Sequence, residues 1–158
     1  MGSIFSISEI LQFAIKIEEN GELFYKMAAE KVIDFKAKEM FNLLAEEEVK
    51  HKNVYSEMLA EIENYKPEEI YPEEYFSYLK SYVDNIIFNS KKAEELKVNF
   101  DTIAAINFAI QRELDSILYY LEMKNFVSKS YIKQIDKIVE EERKHFLKLT
   151  DLKNSLEK

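Results

Sequence analysis

Apolar residues recur at three- and four-residue steps between Ser6 and about Ile33: Ile10, Leu11, Ala14, Ile15, Ile17, Gly21, Phe24, Tyr25 and Ala28. That spacing gathers them on one face of a helix. Ser6, with Glu9 three residues on, reads as a capping box at its start. Asp34 is a good N-cap for a second helix to about Glu63, with Met40, Phe41, Leu44, Ala45, Val49, Tyr55 and Leu59 on its inner face. Pro67 and Pro72 in "NYKPEEIYPEEY" then break the pattern. A shorter helical stretch over 72–90 follows. Asp101 or Thr102 caps a third long helix to about Phe126, and Ser128 or Ser130 caps a fourth to about Leu156.

The pattern predicts one all-α domain: a hairpin over 6–63, a crossover over 64–100 with its own short helix, and a second hairpin over 101–156. Short links within the hairpins and one long link between them define one topology of four-helix bundle. Composition agrees. With only two Gly and two Pro in 158 residues, the chain has too few turn formers for a strand-rich fold. A hydrophobic share of 47% is enough for a core and argues against disorder.

Charge and cysteine narrow the chemistry. A net charge of −8 leaves no basic face for nucleic acid. No apolar run approaches the roughly 20 residues of a membrane span, and a cytoplasmic protein is expected. The start "MGSIFS" matches a myristoylation pattern, a short motif that the capping reading of Ser6 outweighs. Cysteine is absent, which excludes disulfides, thiolate metal sites and cysteine nucleophiles in this chain.

The hairpins echo each other. "AIKIEENGELFY" (14–25) aligns with "AIQRELDSILYY" (109–120), matching Glu18 to Glu113 and Tyr25 to Tyr120. "EEEVKH" (46–51) aligns with "EEERKH" (140–145), matching Glu48 to Glu142 and His51 to His145, the only two histidines. Each copy thus carries Glu-x6-Tyr on its first helix and Glu-x-x-His on its second. Glu18 and Glu48 each lie about 15 residues from the first turn, about 22 Å at helical rise, so they sit level. Glu113 and Glu142 sit level in the same way. Glu and His three apart share a helix face.

Four carboxylates and two imidazoles therefore converge at mid-height of the bundle. Four buried carboxylates need a counter-charge, and two divalent cations supply it. Carboxylate and imidazole ligands without sulfur suit iron or manganese, with zinc also able to bind. The expected ligands are Glu18, Glu48, His51, Glu113, Glu142 and His145. Such Glu/His pairs also arise by chance on acidic helix surfaces. The matched tyrosines, the equal depths and the repeat decide for a metal site. Tyr25 and Tyr120 either fill core space or hydrogen-bond a ligand carboxylate. Glu19, Glu46, Glu47, Glu140 and Glu141 are expected in solvent, because consecutive helix positions face different ways.

Over about 6–65 and 100–155 these motifs resemble the di-iron domain of rubrerythrin-like, ferritin-like proteins. The resemblance implies that Glu48 and Glu142 bridge two irons, that Glu18 and His51 complete one and that Glu113 and His145 complete the other. It implies no catalytic side chain beyond the ligands and no other cofactor. Two departures stand out. Rubrerythrins carry a further carboxylate three residues after the third-helix glutamate, where this chain has Ser116. They also carry a cysteine-bound iron that delivers electrons, and this chain has no cysteine.

The expected function is a di-iron oxidoreductase reacting with hydrogen peroxide or dioxygen, of the kind used against oxidative stress. An external redox protein or small reductant would reset it. Alternatives are a di-iron hydroxylase of a small organic substrate, a ferroxidase or iron-binding protein, and a helical interaction module. Ten Tyr and 11 Phe point to a homodimer. The aromatic crossover is expected to cover the bundle or that interface.

Overall fold

The computed structural model describes residues 7–65, 77–78, 81 and 90–158. Among them five helices and no strand occur: α1 (Ile7–Lys31), α2 (Phe35–Tyr65), α3 (Ser90–Val98), α4 (Thr102–Met123) and α5 (Lys129–Leu156). The architecture is the expected all-α four-helix bundle. Helix α1 packs along α2, and α4 along α5. The two hairpins meet through α2 against α5 and α1 against α4.

Caps explain where the helices begin. The Asp34 carboxylate accepts from the Ala37 amide at 2.9 Å, so α2 starts immediately after it. Asp101, in extended backbone, accepts from Ala104 N–H at 2.9 Å, which settles Asp101 over Thr102 as the N-cap of α4. Ser128 holds the N-cap position of α5 but makes no side-chain cap bond. Ser6 lies outside the described residues. The ends differ from expectation by two or three residues. Helix α1 stops at Lys31, leaving Ile33 98% exposed, and α4 stops at Met123.

Most of the expected 72–90 helix lies outside the described residues, where 77, 78 and 81 are helical. So does most of the aromatic crossover. Helix α3 was not foreseen. Among its described side chains only Leu96 is buried, so no apolar periodicity announces it.

A polar layer divides the core in two. One apolar cluster joins the start of α1 and the end of α2 to the end of α4 and the start of α5, through Ile10, Ile17, Tyr55, Tyr120 and Ile138. The other joins the opposite ends through Phe24, Tyr25, Phe41, Leu44, Ile106 and Leu149. Between them lie eight buried polar residues: Glu18, Glu48, His51, Arg112, Glu113, Ser116, Glu142 and His145. Each chain reversal carries the polar layer back to the same height, as the equal residue counts require.

Candidate metal centre

Each of the four long helices contributes to that layer. Glu18 comes from α1, Glu48 and His51 from α2, Glu113 from α4, and Glu142 and His145 from α5. None of the six is more than 3% exposed. Three groups of converging donor atoms form, each within 4.8 Å: two fully buried, of Glu18, Glu48, His51 and Glu142 and of Glu48, Glu113, Glu142 and His145, and one nearer the surface, of Glu47, His51 and Glu141. Glu48 and Glu142 belong to both buried groups. The imidazoles of His51 and His145 stack with centroids 5.8 Å apart.

The donor atoms are poised and unpaired. Glu18 Oε2, Glu48 Oε1, His51 Nδ1, Glu113 Oε2, Glu142 Oε1 and His145 Nδ1 are all buried without a hydrogen-bond partner. His51 Nδ1 lies 2.7 Å from Glu142 Oε1 but off the hydrogen-bond direction, so neither atom is satisfied by the other. Leaving one such atom unpaired costs about 1–3 kcal/mol. One orphan on each of six convergent residues fits a pair of divalent cations with carboxylate and imidazole ligands.

Electrostatics tell the same story from the metal-free side. Burial, then the charges of Glu18 and Glu142, push Glu48 well above the carboxylate range. Burial and then Glu113 and Glu18 lift Glu142 to about 8. Burial also opposes charge on Glu113, but Glu142 and His145 outweigh it and hold Glu113 at about 2. Glu18 is lowered, because Glu48, His51 and Tyr120 overcome its burial. Burial would lower the histidines, yet the neighbouring carboxylates raise His51 to about 12 and His145 to about 10. Imidazolium and carboxyl protons thus carry the positive charge that cations would bring.

The tyrosines cross between hairpins. Tyr25 of α1 donates to Glu113 of α4 at 2.5 Å, and Tyr120 of α4 donates to Glu18 of α1. Both tyrosines also fill core space, Tyr120 in one apolar cluster and Tyr25 in the other. Burial raises both phenols well above their usual range, so they remain donors. Each fixes one oxygen of a glutamate and leaves the other free.

Four features escaped the sequence reading. Glu141 is not simply solvated: half-buried, it lies 2.6 Å from His51 Nε2. That contact orients the ring with Nδ1 inward. No signal within its own helix marks it, because its partner is on the other hairpin. Glu141→Ala is expected to weaken metal binding about 10–100-fold while Glu140→Ala leaves it unchanged. Equal affinities in a metal titration of the two variants would contradict this role.

Arg112 is the second. It is buried, and its Nη2 donates to the Ile17 carbonyl of α1 at 2.7 Å. Gly21 is the third: a Cβ there would lie 2.7 Å from Arg112 Nη1 and 2.8 Å from Glu48 Oε2. Glycine leaves both side-chain ends where they are, and a Cβ would make one of them shift, at a helix-propensity cost of roughly 1 kcal/mol for the glycine. Both were visible as oddities, an arginine and a glycine on inner faces. Tyr55 is the fourth, fully buried with an unpaired hydroxyl and its ring 5.1 Å from that of Tyr120. Ser116 is buried, and its hydroxyl donates to the Arg112 carbonyl at 2.8 Å, back onto its own helix.

Paired Glu and Glu-x-x-His helices facing inward across a bundle are the plan of the ferritin-like dinuclear carboxylate proteins. Within that class the chain belongs to the rubrerythrin family: its sequence matches the family described as Rubrerythrin over residues 9–153. The fold is also similar to the crystal structure of a candidate ferritin-like diiron-carboxylate protein from Thermotoga maritima. The two are 25% identical with a TM-score of 0.70, and the match covers 98% of each chain. No curated protein matches. Among the described residues no helix is long and apolar enough to cross a membrane.

Proposed function

We propose that this protein is a dinuclear iron oxidoreductase that reduces hydrogen peroxide or dioxygen with electrons from an external donor. Glu48 and Glu142 would bridge the two ions. Glu18 and His51 would complete one site, and Glu113 and His145 the other. The observation that carries the reading is the set of six buried, unpaired donor atoms, one on each of these residues. Bound iron would supply the redox electrons and a Lewis-acidic seat for the oxidant.

The chain's own residues do the rest. Tyr25 and Tyr120 hold one oxygen of Glu113 and Glu18, so the ligand carboxylates are preset. Glu141 keeps His51 turned toward the centre. The two apolar clusters above and below the polar layer exclude water. No cysteine is present to relay electrons, so the reductant is a separate redox protein or a small molecule.

The test is to load the protein with Fe(II) without oxygen, desalt it and count iron. About two irons per chain are expected from the ligand count. Mixing with peroxide and with dioxygen in turn then shows which oxidises the centre, followed by optical absorbance. A folded protein that retains no iron would refute the assignment.

A further inference from the structure

Among the described residues Arg112 is the only buried lysine or arginine. It leaves α4 and crosses to α1, where Nη2 is tied to the Ile17 carbonyl. Nη1 and Glu48 Oε2 flank the bare Cα of Gly21, each within 3 Å of where a Cβ would stand. The ends of the Arg112 and Glu48 side chains thus share the space beside Gly21, where a Cβ would displace one of them.

The repeat makes this arrangement one-sided. Ile17 occupies the place of Arg112 in the other half, Ser116 that of Gly21, and Glu142 that of Glu48. Glu48 therefore has a permanent cation near it, and Glu142 has an aliphatic side chain at the equivalent position. An arginine in a dry interior does not lose its charge at accessible pH. Its field is weakly screened there, far less than at a surface. Four ionised carboxylates and two divalent ions are already balanced, so among the fully buried groups Arg112 adds one positive charge, on the Glu48 side, while the half-buried Glu141 lies at the outer nitrogen of His51. Each electron withdrawn from the ions would add positive charge beside Arg112.

We propose that Arg112 is a positioning residue: beside Gly21 it holds Glu48 in place, and its fixed charge favours the reduced form of the dinuclear centre. This rests on the dinuclear iron reading above. The residue does not touch the oxidant, and it acts through Glu48 and through space.

The experiment compares wild type, Arg112→Gln and Arg112→Lys, each loaded with Fe(II), for iron content and then for midpoint potential. Wild type without two irons would sink the dinuclear reading before Arg112 is at issue. With two irons in wild type, Arg112→Gln is expected to keep both and to favour the oxidised form at least tenfold, about 59 mV lower for a one-electron couple. Arg112→Lys keeps the charge and should stay within about threefold of wild type, about half that shift. An Arg112→Gln protein that holds two irons at the wild-type potential would reduce Arg112 to a structural role and overturn the proposal. If Arg112→Gln does not fold, Arg112→Lys decides. A wild-type potential supports the charge assignment, and a tenfold shift despite the retained charge overturns it.

Discussion

Glu48→Gln is expected to abolish the thermal stabilisation that divalent metal gives this protein, while leaving the metal-free form at least as stable as wild type. In the metal-free protein Glu48 is a liability. It is buried among three other carboxylates, and its protonation is forced by burial and by Glu18 and Glu142. A glutamine of the same shape carries no charge to desolvate. With metal the sign reverses, because Glu48 is common to both buried groups of donor atoms and its loss damages both sites. Metal at a thousand times its Kd stabilises the folded state by about 4 kcal/mol. For a chain of this size that is roughly 10 °C in Tm. Thermal melts with and without metal should show that increment in wild type and little of it in Glu48→Gln. Glu47→Ala should retain most of it, because Glu47 lies at the edge of the layer, half-buried and paired with Lys50 at 3.1 Å, and belongs to neither fully buried group of donor atoms. An equal loss in Glu47→Ala would dissociate the effect from the buried layer.

Raising the pH is expected to weaken the metal-free protein and strengthen its grip on metal. Folding lifts Glu142 from 4.5 to about 8 and His145 from 6.5 to about 10. A group whose folded pKa is raised contributes stability that is full below its unfolded value and is lost as pH climbs through the folded value. Metal-free stability therefore falls from about pH 4.5 up to about 12, the upper end set by His51, by about 1.4 kcal/mol per pH unit for each proton of difference. Glu113 works in the opposite sense. Lowered from 4.5 to about 2, it contributes stability above 4.5 that is lost as pH falls through about 2. Metal must displace the protons on both imidazoles and on Glu142, about three near pH 7, together with what Glu48, raised in the same way, still holds. Calorimetry of metal binding in buffers of different ionisation heat reads the proton count directly. Release of fewer than about two protons would mean that the imidazoles are already neutral and that the carboxylates are balanced in another way.

The opposing signs share one cause. The site is built for cations, and without them it holds protons at energies that folding elsewhere must offset. The two apolar clusters on either side supply that stability. Such a layer, costly when empty and strong when filled, is what ligand binding to a preformed polar interior looks like thermodynamically.

Much of this was legible without coordinates. The 3.6-residue apolar period marked four long helices, and Asp34 and Asp101 marked two of their starts. The repeat set Glu18 against Glu113, Tyr25 against Tyr120, and each Glu-x-x-His against the other. Helical rise is constant, so equal residue counts on either side of a turn placed those groups at one height. Helix α3 was invisible because a single buried leucine has no period.

What lay beyond the sequence is everything that depends on which helix faces which. Within a hairpin, chain proximity dictates neighbours. Between hairpins it does not, and the decisive contacts are there. Tyr25 holds the glutamate of the opposite hairpin, as does Tyr120. Glu141, at a position that local geometry assigns to solvent, meets His51 across the α2–α5 contact. The end of Arg112 lies in space left open by the missing side chain of Gly21 on another helix. Periodicity along one helix specifies the direction of each side chain about its own axis. The rotation and offset of two packed helices come from side-chain interlocking across the whole interface, which no local pattern encodes. The sequence by itself determined the four long helices, the level of the polar layer and the six Glu and His residues that converge in it. The tertiary structure decided their partners, and with them the one-sided charge beside Glu48.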